Sequence, residues 1–294
     1  SLIEIHNSGV ALTPPRCCVL VYIPRYNWQM KTFLRTLSIV LLVIYAVITS
    51  YSVLSISAGM GYDLILLPIS AITAFSFAAL HGVERLGWRR LALLLVSLVV
   101  ISLALESVGV ATGAVYGAYH YTDKLGPKFL DLVPYLIPVA WFMVSYPAFV
   151  IALRLVPAMP NLWVWRGLVA GASALAMTAW DLAMDPMMVA GGHWIWDQPG
   201  EYFNIPVQNF WGWWVTIFTA VMFFLVAGRI TPHKVQYQDN NYDRLVIFSY
   251  AMAGLSSIVM DFQIDLAGPA LVGVFAMTPW AVLGWLGSGA HNRP

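Results

Sequence analysis

Asp181 and Asp185 stand four residues apart in the segment WDLAMDP. On a helix that spacing places both carboxylates on one face. Ionised side chains at membrane depth are costly and normally face a bundle interior or a wet cavity. Two carboxylates that share a dry site tend to hold one proton between them, because burial and mutual repulsion both oppose full ionisation. A protonated acid beside an ionised one is a general acid/base pair. The plainer reading is that the two cap a helix end, with Asp185-Pro186 marking a kink. Glu106 is a lone carboxylate in SLALESVG. It would serve as an acid or as a base that positions water; otherwise it snorkels or bonds a neighbouring helix.

His120 lies between Tyr119 and Tyr121 in GAYHYTD, and His193 lies in GGHWIWD. Either imidazole could relay protons near neutral pH, or sit as an interface histidine among aromatics. No H-x-x-x-H or H-E-x-x-H spacing occurs, so no metal site is expected. Asp261 and Asp265 in MDFQIDLAGP repeat the four-residue spacing. They would complete a polar wall or terminate a helix, and termination is favoured. Asn209 in QNFWGWW opens an apolar run, as its N-cap or as a group aimed into the site. Trp141, Trp180, Trp194, Trp196, Trp211, Trp213 and Trp214 fall toward the same side. An interface belt is their default role, and their π faces could also stabilise a carbocation as they do an ammonium. Candidate substrate contacts are Trp141, Trp180, His193, Trp194, Asn209 and Trp213.

These groups need elements to hold them. The chain has 294 residues, of which 60% are hydrophobic and 10% charged, and its mean hydropathy is +0.74. A soluble domain carries about 25% charged residues, so the sequence predicts an all-α, polytopic transmembrane bundle. Eight apolar runs are long enough to span: Phe33 to Ile56, Asp63 to Leu80, Arg90 to Val110, Leu132 to Val156, Trp165 to Ala190, Asn209 to Ala227, Leu245 to Met260 and Ala267 to Leu286. The last two are the least clear, and could tilt or re-enter. Residues 30–294 read as one helical domain, with Met30 near the functional start. Residues 1–29 read as a poorly packed extension without a cleavable signal. Adjacent Cys17 and Cys18 suit neither a disulfide framework nor a zinc site. Net charge is +1, which gives no case for nucleic acid. The four lysines Lys31, Lys124, Lys128 and Lys234 all lie outside the span interiors, which argues against a retinal Schiff base.

Charge sets the expected orientation. Of 15 Lys and Arg, only Lys124 and Lys128 fall on one side of the eight-span alternation. By the positive-inside rule both termini are then cytoplasmic, in a multi-pass inner-membrane protein. The acidic residues Asp63, Glu106, Asp123, Asp131, Asp181, Asp185, Asp197, Glu201, Asp261 and Asp265 lie toward the other side, where a polar site is expected to open. The loops ATGAVYGAYHYTDKLGPKFLD and GGHWIWDQPGEYFNIPVQ on that side mix aromatics, Gly and Pro, as a folded cap does.

The segments ESVGVATGAVYGAYHYTDKLGPK, PYLIPVAWFMVSYP, WDLAMDPMMVAGGHWIWD and GEYFNIPVQNFWGWW closely resemble the carotenoid-biosynthesis hydratase family, which includes bacterial carotenoid 1′,2′-hydratases and archaeal bisanhydrobacterioruberin hydratases. The resemblance covers roughly residues 34–290. It implies addition of water, without a redox cofactor, to the terminal isoprenoid double bond of an acyclic carotenoid drawn from the bilayer. Lipid and other carotenoid-biosynthesis enzymes would be its partners. On that chemistry Asp181 or Asp185 is the acid, and its partner or Glu106 positions the water. His120 and Tyr119 orient the carboxylates or return the proton. A proton- or ion-coupled transporter is the alternative class, although the acids gather at one end and no inverted repeat is evident. A non-catalytic carotenoid- or lipid-binding subunit is the third.

The orientation is tested in a background lacking Cys17 and Cys18. Asp197→Cys should label from outside the cell and Lys234→Cys only from inside; labelling of both from one side would overturn it.

Overall fold

The computed structural model describes residues 25–61, 65–235 and 239–287. Asp63, Cys17, Cys18 and most of the 1–29 extension lie outside the described residues. The helices are α1 (Arg25–Ser57), α2 (Leu66–Leu86), α3 (Trp88–Thr112), α4 (Leu136–Leu155), α5 (Leu162–Ala190), α6 (Val207–Ala227), α7 (Asn240–Gln263) and α8 (Ala267–Leu286). All eight are long and apolar enough to cross a membrane. The seventh and eighth, the least clear in sequence, are full-length helices of 24 and 20 residues. The seventh was hard to see because it starts with the polar run NNYDR, ahead of the expected start at Leu245. Likewise α1 starts at Arg25, before the expected Phe33.

The centre of the bundle is α4 and α5, which pack on each other and on α6, α7 and α8. Few of their residues face outward, which is why their sequences are apolar nearly all round rather than striped. By contrast α1 contacts chiefly α2 and α7. Its inner face carries Leu42, Tyr45, Thr49 and Ser52, while Val43, Val47 and Leu54 are exposed. An exposed apolar face of this kind suits lipid rather than water.

The N-terminal ends of α1, α3, α5 and α7 form one end of the bundle, where a polar clasp closes it. Asp243 accepts Arg85 Nε at 3.2 Å and stands 3.3 Å from His81 Nε2. His81 Nδ1 meets the Tyr146 hydroxyl at 2.7 Å. Arg35 pairs with Glu84 and, at 2.8 Å, with Asp239. The Ser38 and Tyr242 hydroxyls lie 2.7 Å apart. Thus α1, α2, α4 and α7 are tied through groups that apolar periodicity does not reveal. Two further arginines tie down carbonyls at this side: Arg154 donates to the Gly284 carbonyl in the last turn of α8 at 2.6 Å, and Arg166 to the Ile230 carbonyl just past the end of α6. Cations are favourable at such carbonyl-rich ends.

At the opposite end a small cap sits between helices. Strands β1 (Tyr119–Tyr121) and β4 (Trp194–Trp196) pair antiparallel, with Tyr119 opposite Trp196 and Tyr121 opposite Trp194. Strands β2 (Lys128–Phe129) and β3 (Val133–Pro134) form a second, shorter pair. Thr122 extends the first ribbon by donating its backbone N–H to the His193 carbonyl at 3.0 Å.

Asp243→Ala strips the buried His81 and Arg85 of the carboxylate between them. Loss of one partner from a buried ion pair typically costs about 3–5 kcal/mol. The variant should therefore unfold at a clearly lower temperature in detergent, as followed by thermal melting, while Lys234→Ala on the exposed surface should not.

Candidate active site

The cap end contains a cavity of about 660 Å³, lined by residues of α1, α2, α4, α5 and α7, by Glu106 of α3, by Asn209 and Trp213 of α6, and by the β1–β4 ribbon. Strand alternation explains the ribbon's part. Side chains of a strand point to opposite faces in turn, so Tyr119 and Tyr121 of β1, and Trp194 and Trp196 of β4, share the inner face and are buried. The same alternation turns His120 outward. Its ring is exposed and contacts Asp197 Oδ1 at 3.2 Å, also on the surface. The expectation that His120 joins the carboxylates is therefore corrected: its two tyrosine neighbours face the site and it does not.

Glu106 is buried and accepts three donors. Its Oε1 accepts the Trp141 indole N–H at 3.0 Å. Its Oε2 accepts the Tyr121 hydroxyl at 2.9 Å and the Tyr119 hydroxyl. Burial pushes both tyrosine hydroxyls well above the usual phenol range, and the charge of Glu106 raises them further. They therefore stay protonated and act as donors. Tyr116 wedges in beside them, its hydroxyl 2.7 Å from Thr216 Oγ1. Gly109 and Gly212 flank that ring, and a Cβ at either would come within 2.6 Å of it. Those two glycines allow α3 and α6 to close on Tyr116.

Asp181 and Asp185 are also buried, and one amide serves both. Asn209 Nδ2 donates to Asp181 Oδ2 at 3.0 Å and to Asp185 Oδ2 at 2.6 Å. Asp185 Oδ1 accepts the Trp194 indole N–H at 2.6 Å. Asp185 lines the cavity, whereas Asp181 stands behind it, with Oδ1 buried and without a hydrogen-bond partner. Asn209 is the third residue of α6, not its N-cap, and its amide is committed to the two carboxylates. Pro186 has no N–H to give to the Leu182 carbonyl one turn back. The Tyr202 hydroxyl supplies that bond instead, at 2.7 Å.

Aromatic rings close the carboxylate end. Trp141 and Trp213 stack with centroids 4.2 Å apart, Trp180 meets Trp213 edge-on at 6.1 Å, and Tyr119 lies 4.8 Å from Trp196. Among the described residues no Lys or Arg lines the cavity. Nor is any group of three or more His, Cys, Asp or Glu there arranged to hold a metal ion. The site thus offers three buried carboxylates in a mostly apolar, aromatic chamber.

The family described as carotenoid biosynthesis protein matches residues 64–279. This chain belongs to that family. A bisanhydrobacterioruberin hydratase from Haloarcula japonica (strain TR-1) is 36% identical over 143 residues, which is 49% of this chain and 47% of the relative. The chain therefore matches about half the length of that curated relative. No solved structure matches it.

In this carotenoid biosynthesis protein the carboxylates, the ribbon and the aromatic rings around them all lie within the family-matched span, whereas the α1 wall of the cavity precedes it. The structure brings Glu106, Tyr119, Trp141, Trp180, Asp185, His193, Trp194, Asn209 and Trp213 to one cavity, with Asp181 against it. Asp261 is buried outside the cavity lining, its backbone carbonyl capping α7 through Ile264 and Leu266. Asp265 lies past the helix end at a positive φ of 62°, so the two do not share a helix face. Tyr116, Tyr121 and Tyr202 were missed. The two-residue step from Tyr119 to Tyr121 was the available signal for Tyr121.

His193 sits at the edge of the chamber, with Nδ1 buried and unpartnered. Burial pushes its imidazole below the ordinary 6.5, and the Lys124 ammonium adds to this. Between the two pKa values the unfolded chain binds the proton and the folded one does not. The stability due to neutral His193 is thus present above about pH 6.5 and lost as pH falls through the window below it. His193→Gln should flatten the acid-side loss of thermal stability, measured as Tm against pH, and leave the alkaline side unchanged.

Proposed function

We propose that this protein is a membrane-embedded hydratase that adds water, by acid catalysis, across the terminal trisubstituted double bond of an acyclic carotenoid end. The observation that carries the reading is the pairing of a doubly held aspartate pair with a separately held glutamate in one aromatic chamber. The family and the hydratase relative support it.

The residues divide the work by what they touch. Asp185 faces the cavity and is the acid, while Asp181 shares its amide clamp and helps hold the pair's proton. Glu106 already accepts three hydrogens, leaving a lone pair for a water molecule. Asp185 gives its proton to the less substituted alkene carbon, and the π pair becomes the new C–H bond. The tertiary cation left on the other carbon faces Trp141, Trp180 and Trp213, whose π faces attract positive charge. Water attacks that carbon and Glu106 takes the proton it releases. The proton then crosses the cavity back to the aspartate pair. The alkene and one water become a tertiary alcohol with no net change in oxidation. No step draws on a redox cofactor.

The exposed apolar helix faces support a substrate taken from the bilayer, and the arginine-rich clasp end is proposed to face the cytoplasm, with both termini.

Asp185→Asn keeps the shape and removes the acid, so hydration should fall at least ~10²-fold, the usual scale for general acid catalysis. Glu106→Gln should fall on a similar scale, and Asp181→Asn less than Asp185→Asn. Carotenoid binding should survive, because an apolar chain draws its affinity from buried area. The measurement is product formation in membranes matched for protein level and bound carotenoid, with the product heavier by one water. Near-normal conversion by Asp185→Asn would remove it from the mechanism.

A further inference from the structure

The cavity does not end at the carboxylates. A second arm runs between α1, α2 and α7. Tyr45, Thr49, Ser52, Val53 and Ile56 wall it from α1, Leu67, Ser70 and Ala71 from α2, and Ala253, Ser256 and Met260 from α7. The α1 residues recur every three to four positions, so they form one helix face.

Tyr45 lies twelve residues before Ser57 and Ala253 ten before Gln263, so the arm descends about 15–18 Å from the cap end at 1.5 Å per residue. The cavity residues that reach the surface are Gly61, Ala190, Gly191 and Ile264. They mark the mouth at the ends of α1, α5 and α7. There Gln263 Nε2 donates to Ser57 Oγ at 2.8 Å, joining α7 to α1.

Three serine hydroxyls in this arm are turned back on their own helices, and the Tyr45 and Thr49 hydroxyls pair with each other. Ser52 bonds the Ile48 carbonyl at 3.0 Å, Ser70 the Leu67 carbonyl at 2.9 Å and Ser256 the Ala253 carbonyl at 2.9 Å. What remains facing the space is mostly apolar, with small residues among its walls. No charged side chain from α1, α2 or α7 lines it. Such a slot fits a linear hydrocarbon chain and offers little to an ion or a sugar.

We propose that this arm seats the isoprenoid chain adjacent to the reacting end, and that the small residues Ser52, Ala71, Ala253 and Ser256 determine how much chain is accepted. The inference rests on the hydratase reading for which end reacts, but not for the seat itself. It assigns selectivity for long chains to residues on helices that supply none of the three site carboxylates.

The test narrows the slot from two walls separately, with Ala71→Phe on α2 and Ser256→Phe on α7. Purified wild type and variants are incubated with lycopene, a long acyclic carotenoid, or with myrcene, a short hydrocarbon bearing the same isopropylidene end. Bound ligand is measured after size exclusion, by absorbance for lycopene and by gas chromatography for myrcene. Each variant should retain at least ~10-fold less lycopene, since chain kept out of the slot stays unburied, with myrcene binding unchanged. Undiminished lycopene binding in both variants would overturn the proposal. So would parallel loss of both ligands in both variants, because the residues would then support the fold or the carboxylate end. Binding is read without turnover, so a protein that seats lycopene yet never hydrates it would defeat the hydratase reading and leave the seat standing.

Discussion

A carboxylate surrounded by hydrocarbon persists only if fixed donors replace the water it has lost. That requirement organises the cap end. Glu106 takes its donors from Trp141, Tyr119 and Tyr121, and the aspartate pair takes its donors from Asn209 and Trp194. Two of the three Glu106 donors, and the Trp194 donor, come from the ribbon and not from a spanning helix. The same rule explains Tyr202, which repays to Leu182 the hydrogen bond that Pro186 withholds. The folded loops are therefore part of the site's electrostatics. Without them the carboxylates would sit among helices that have too few polar hydrogens to offer.

The two ends of the bundle solve the problem of buried charge in different ways. At the clasp end, acids are met by cations: Asp243 by Arg85, and Glu84 and Asp239 by Arg35. At the cap end Glu106, Asp181 and Asp185 are met by neutral dipoles alone, since Lys124 and Lys128 donate to the Gly191 and Tyr121 carbonyls and Lys128 pairs with the exposed Asp123 instead. In the proposed reaction, a full positive charge beside the site would oppose the developing carbocation. Phenol, indole and amide hydrogens steady a carboxylate without adding such a charge, and they leave the aromatic faces free.

The helices were legible because an apolar run of spanning length, in a chain this poor in charge, has little choice but to close its backbone hydrogen bonds as a helix. Their ends were not, since polar starts such as NNYDR at α7 add no hydrophobicity. The four-residue step between Asp181 and Asp185 correctly placed two acids on one face, because a helix enforces that geometry locally. It could not show that Asn209, on a different helix, bridges them; that is a tertiary fact. The same spacing at Asp261 and Asp265 marks a helix end, as the favoured reading had it, because the helix stops between them. His120, by contrast, misled. A strand of three residues has a period of two, and a lone histidine gives no hint of which face it takes. The clasp was missed because its members read as ordinary flanking charges, and the arm because serine and alanine in an apolar helix look like packing.

The ribbon also fixes an order of events during synthesis. Tyr119 pairs with Trp196 across 77 positions of chain, the difference of their residue numbers. Two full spanning helices, α4 and α5, lie between the paired strands. The ribbon therefore closes only after both helices have been made and both loops have reached the same side of the membrane. Asn209 follows later still, on α6. Until then the aspartate pair lacks the amide that joins its two carboxylates, and the temporary partner open to it is water. The chamber is thus assembled wet and dried by its own last pieces, so a translocation defect in either loop would leave a hydrated cleft among helices that had inserted normally.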